Sequence, residues 1–83
     1  MFINKAQNGR NNISGFHIAQ HRKQLGLSQR QLADRMQLLG MDMDKNAIQR
    51  IEAGLRFVTD IELKTFAAFF RVTADDLLGT EEA

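Results

Sequence analysis

Apolar residues recur along this chain at intervals of three and four, and no segment sustains an alternation of apolar with polar positions. The first spacing lines up one face of a helix and the second would mark a strand, so the pattern predicts an all-α fold. Residues 16–25 set Phe16, Ile18, His21, Arg22 and Leu25 along one side of a first helix, and Gly26 stands where a left-handed residue closes it. Ser28 with Gln31 is a capping-box pattern that opens a second helix, which turns Leu32, Ala33, Met36 and Leu39 inward and stops near Gly40. Met41, Asp42 and Met43 read as a connector. Asp44 then caps a third helix over residues 45–53, with Ala47, Ile48 and Ile51 inward and Gly54 as its stop. So short a helix is held by packing rather than by propensity. Thr59 or Asp60 caps a fourth, carrying Ile61, Leu63, Phe66, Ala67 and Phe70, and Thr73 caps a last turn or two over residues 74–78 with Asp75 and Asp76 at its positive end.

The ends of the chain lack this period. Residues 1–14 are polar and contain Asn and Gly, which predicts a flexible arm; residues 15–79 form one domain, and residues 80–83 an acidic tail. At 83 residues the core is small and there is no room for a second domain with its own ligand pocket. The chain has no cysteine and no apolar run long enough to cross a bilayer, and its first ten residues lack the apolar stretch of a signal peptide. The expected location is the cytoplasm, with no membrane partner.

A net charge of +1 conceals an asymmetry. Residues 1–59 hold nine Lys and Arg against four Asp and Glu, whereas residues 60–83 hold two against six. The basic part contains the third helix, where Lys45, Asn46, Gln49 and Arg50 share one face with side chains able to reach base edges in a DNA groove. Because charge is screened beyond about 8 Å at physiological salt, that local surface matters more than the sum. Lys23 and Arg35 read as solvated helix faces, and two charges in ten residues, Lys5 and Arg10, make a poor minor-groove arm. His17 and His21 are four apart, as metal ligands on a helix are, but no third ligand accompanies them. Ser28 has no neighbouring base, so no nucleophile with an activator is assembled. The chain is therefore read as neither an enzyme nor a carrier of a cofactor, metal or small-molecule ligand.

These blocks resemble the DNA-binding domain of phage repressor and Cro type, a lambda-repressor-like five-helix fold containing a helix-turn-helix. The resemblance rests on residues 22–29, Leu32-Ala33, residues 48–54 and residues 72–78, and covers roughly residues 13–78. It implies a sequence-specific transcriptional regulator, most simply a repressor, whose partner is double-stranded DNA; a single copy should bind weakly, so a homodimer or a partner subunit is expected. It implies that Gln29 bonds a phosphate and braces the next helix, that Lys45, Asn46, Arg50 and Gln49 are the outward residues of the recognition helix, and that Arg56 contacts the DNA backbone. Arg30 sits beside the implied phosphate path. Arg22 and Glu52 correspond to a structural ion pair between the first and third helices. Two departures stand out. Ala33 and Ile48 lie fifteen residues apart where the family has ten, a longer turn that resembles one branch of the family, and Arg71 stands where glycine is frequent. The Phe66, Phe69 and Phe70 cluster offers a second reading, with Phe69 left exposed as an interface. The domain would then be a protein-interaction module, antitoxin-like or a repressor antagonist.

Overall fold

The computed structural model describes residues 9–79, so the first eight residues of the expected arm, Lys5 among them, and the acidic tail lie outside the described residues. Five helices follow one another: α1 Ser14–Gln24, α2 Gln29–Leu38, α3 Lys45–Glu52, α4 Asp60–Phe70 and α5 Ala74–Leu78, with no strand among the described residues. The all-α, five-helix expectation holds. α2 packs chiefly against α3, while α1 crosses behind them and touches α3, α4 and α5.

Each helix start has a chemical reason. The Ser28 hydroxyl accepts from the Gln31 N–H and the Gln31 side chain accepts from the Ser28 N–H, at 3.0 and 2.8 Å, closing the box that opens α2. Thr59 with Glu62 and Thr73 with Asp76 do the same for α4 and α5, and Asp44 accepts from the Ala47 N–H at 2.8 Å. Each such cap stabilises a helix by about 1 kcal/mol. The stops are equally uniform: α1, α2 and α3 end in left-handed Gly26, Gly40 and Gly54, and the N–H of each glycine and of the residue after it bond back to the last turn. α4 ends in the same way on Arg71, at φ 60°, with Val72 N–H donating to the Ala67 carbonyl at 3.0 Å.

The core comprises Ile18, Leu32, Ala33, Met36, Met43, Ile48, Ile51, Phe66, Ala67 and Leu77. Several expectations need correction. Phe16 and Leu25 of α1 are exposed, because the inward stripe of that helix is Ser14, Gly15, Ile18 and the largely buried Arg22. α1 approaches α3 so closely that a Cβ on Gly15 would collide with the Ile51 carbonyl oxygen, which leaves no space there for a large side chain. Leu39 and Ile61 are also exposed, at the carboxyl cap of α2 and in the first turn of α4, while Met43 of the connector is buried. Phe69 is not left outside: its ring edge meets Phe70 at 5.2 Å, and Phe70 in turn lies against Phe66 and His21 at 6.3 and 5.4 Å.

The arm also ends earlier than expected. Arg10, Asn11 and Asn12 are hydrogen-bonded to the carboxyl end of α3 and the chain that follows it, and Asn12 is buried, so the packed domain begins at about residue 10. A left-handed non-glycine residue costs about 1 kcal/mol. Arg71→Gly should therefore raise the unfolding free energy by up to about 1 kcal/mol, read from urea denaturation, since part of the gain is offset by the freer unfolded chain. A loss of stability would mean that the Arg71 side chain makes a contact outweighing its backbone strain.

Candidate nucleic-acid interface

α3 is only eight residues long, and the core together with α1 and α2 fixes it. Its inner face buries Ile48 and Ile51 completely. Its last residue, Glu52, accepts from Arg22 Nε and Nη2 at 2.6 and 3.0 Å and from Gln29 Nε2 at 2.9 Å, while Arg22 Nη1 donates to the Leu27 carbonyl at 2.8 Å. One carboxylate thus joins α1, α2 and α3. The Arg22 and Glu52 side chains are only 11% and 8% exposed, and removing one partner from a buried pair of this kind costs about 3–5 kcal/mol. Gln29 Nε2 carries two hydrogens and gives one to Glu52, so the other remains for a ligand.

The long turn between α2 and α3 is ordered by its own bonds. Met41 N–H donates to the Met36 carbonyl at 2.9 Å, Met43 N–H to Met41 at 3.0 Å, and Gln37 Nε2 to the Met43 carbonyl at 2.8 Å. Burial of the Met43 side chain completes the anchor. The additional residues therefore form a fixed bracket between the two helices.

With its inner face so held, α3 turns Lys45, Asn46, Gln49 and Arg50 outward. All four are exposed, and none of their side chains has a hydrogen bond or ion pair among the described residues. Two shallow grooves flank them. One, of about 450 Å³, lies between α2 and α3 and is lined by Arg30, Asp34, Gln37, Asp44, Lys45 and Asn46, so its charges nearly balance. The other, of about 360 Å³, runs along Asn46, Gln49, Arg50, Ala53 and Leu55 and carries a positive charge without a carboxylate. The face offers donors and acceptors in a row, with its basic character concentrated at Arg50.

Arg56, for which the resemblance implied a contact to the DNA backbone, is paired within the fold. Its Nη1 and Nη2 donate to the two carboxylate oxygens of Glu62, both at 3.0 Å, and Nη1 also donates to the Phe57 carbonyl. The partner was legible only as the fourth residue of a capping box, and nothing in the spacing announced the pairing. Sequence reasoning also missed Asn11 and Asn12; the available signal was an Asn three residues before Gly15, whose N–H its Oδ1 accepts at 2.8 Å as a cap does. His17 lies beside Gly79 and meets Phe16 edge-on, and His21 lies on Phe70. Among the described residues no group of three or more His, Cys, Asp or Glu is placed to hold a metal ion, and no helix is long and apolar enough to cross a membrane.

A family model for the helix-turn-helix matches residues 18–77, which spans α2, the long turn and α3 together with the helices that support them. The chain belongs to the helix-turn-helix family of Cro/C1 (XRE) type, a class of DNA-binding regulatory domains. Comparison with curated proteins and with solved structures gave no match.

Glu62 is held below the ordinary glutamate range by the Arg56 guanidinium, helped by the Thr59 N–H and opposed by partial burial. A depressed folded pKa stabilises the fold above the unfolded value, about 4.3, and that contribution is lost as pH falls through the folded value. Glu62→Gln should therefore be less stable than the parent near pH 7, with the difference shrinking toward about pH 2 in urea unfolding. A difference independent of pH would show that the pair contributes through shape alone.

Proposed function

We propose that this chain is a sequence-specific transcriptional regulator that acts in the cytoplasm as a repressor by occupying a promoter. The observation that carries the proposal is the quartet Lys45, Asn46, Gln49 and Arg50, whose side chains are exposed and have no partner among the described residues, on a helix whose other face is clamped to the core. α3 enters the major groove, where Arg50 and Lys45 suit the N7 and O6 acceptors of guanine and Asn46 suits the edge of adenine. The amino terminus of α2, with Gln29 and Arg30, lies along a phosphate strand and fixes register. Arg56 contributes to the backbone only as far as its pairing with Glu62 leaves an N–H for phosphate.

Two copies on neighbouring half-sites, about 34–36 Å apart, would raise both affinity and specificity. The competing reading, an interaction module acting through Phe66, Phe69 and Phe70, has less support. Phe66 is fully buried and the other two rings are packed on one another. Such a module also gives no reason for the polar quartet.

The proposal separates two kinds of residue. Arg50→Ala should cost about 1–3 kcal/mol on the preferred duplex and little on a scrambled one, whereas Arg30→Ala should weaken both alike and flatten the salt dependence. Fluorescence anisotropy against the two duplexes at two salt concentrations reads this directly. Equal losses for Arg50→Ala on both would remove its role in base recognition.

A further inference from the structure

Residues 10–12 cross the carboxyl end of α3 and donate five hydrogen bonds to it and to the loop beyond. Arg10 Nη2 reaches the Glu52 carbonyl at 2.8 Å, and the Asn11 N–H and Nδ2 reach the carbonyls of Gly54 and Leu55 at 2.8 and 3.1 Å. Asn12 Nδ2 bridges the carbonyls of Ile51 and Arg56 at 2.9 and 2.7 Å. All the acceptors are main-chain oxygens. At the other end of the same side chain, Asn12 Oδ1 holds the Gly15 N–H, so the carboxyl end of α3 is tied to the start of α1 through one buried amide.

The fit has no slack. A Cβ on Gly15 would meet Asn12 Oδ1 at 2.6 Å, and one on Gly54 would meet the Arg10 side chain at 2.8 Å. The carboxyl end of a helix carries partial negative charge on carbonyls that lack intrahelical partners. In the DNA-bound orientation proposed above, that charge lies close to Arg50, the residue assigned to guanine. The strap occupies those carbonyls with amide and guanidinium donors. It also prevents the short helix from pivoting about its Asp44 cap, a motion that would displace Arg50 most because Arg50 lies far from the pivot.

We infer that Asn11 and Asn12 are positioning residues for base recognition, acting through α3 without touching DNA. The inference rests on the DNA-binding reading of α3. Its loss should fall on sequence discrimination, since a base-edge bond needs heavy-atom distances near 2.9 Å and phosphate attraction does not.

The test uses the full chain and a duplex selected from a random pool, with a scrambled duplex as reference. Asn11→Ala and Asn12→Asp should each lower the ratio of the two affinities by about five-fold or more, in keeping with the loss of one or two hydrogen bonds. Val72→Ala, which loosens the α4–α5 corner away from α3, serves as a control for stability and should leave the ratio unchanged. Asn11, half-buried where Asn12 is buried, is the safer variant should Asn12→Asp fail to fold. Residual dipolar couplings of the α3 N–H groups, measured without DNA, should show α3 rotated relative to α2 in the strap variants and not in the control. An unchanged ratio with unchanged couplings overturns the inference, as does an equal fall in the control. If the wild-type chain discriminates between no duplexes, the DNA-binding reading fails, and the couplings still decide whether the strap sets the helix.

Discussion

The carboxylate of Glu52 is the point on which the arrangement of the recognition surface depends. It takes two bonds from Arg22 on α1 and one from Gln29 on α2, and it sits at the last residue of α3. A helix of eight residues does not persist alone in water. Ile48 and Ile51 fix how deeply α3 lies on the core, but apolar contacts are non-directional and would tolerate a rotation. The bidentate guanidinium is directional, and it sets which face of α3 looks outward. Because Gln29 shares the same oxygen as Arg22 Nη2, the start of α2 is held in register with the outward quartet of α3.

The second constraint is the disposal of main-chain carbonyls at helix ends. Each of α1, α2 and α3 closes on a left-handed glycine that bonds the last turn back on itself, and α3 receives the strap of residues 10–12 in addition. This explains why a turn longer than the family's still yields a defined surface. The chain leaves α2 through Gly40, returns Met41 to the Met36 carbonyl, and is pinned by Gln37 to Met43 before Asp44 opens α3. Additional length adds little disorder when nearly every residue of the turn has a backbone bond or a buried side chain.

Local chemistry made most of the fold legible in the sequence. The caps at Ser28, Asp44, Thr59 and Thr73 and the stops at Gly26, Gly40 and Gly54 depend on residues within four positions of one another, and all are found where the spacing places them. The outward quartet of α3 was legible for the same reason, as the complement of Ile48 and Ile51. What sequence reading missed is long-range. The inner stripe of α1 consists of Ser14, Gly15 and Arg22 around a single Ile18, so it carries almost no hydrophobic period, and Phe16 attracted the assignment instead. Asn12 bonds main-chain atoms more than thirty residues away, and Arg56 finds Glu62 across a loop; neither spacing has a local signature. Phe69 was misplaced because three phenylalanines in one short helix exceed a small core unless a ring such as His21 offers them a stacking partner.

Together these constraints support the proposed reading head: four side chains without a partner among the described residues, on a helix oriented by a buried ion pair, closed at one end by an aspartate cap and at the other by an asparagine strap. The most direct test of the account is selection of bound sequences from a random duplex pool at two salt concentrations. The account predicts a defined motif with two-fold symmetry, whose half-sites are spaced by about one helical turn and whose enrichment survives the higher salt. Binding that is sequence-blind and vanishes as salt rises, or no binding at all, would contradict it.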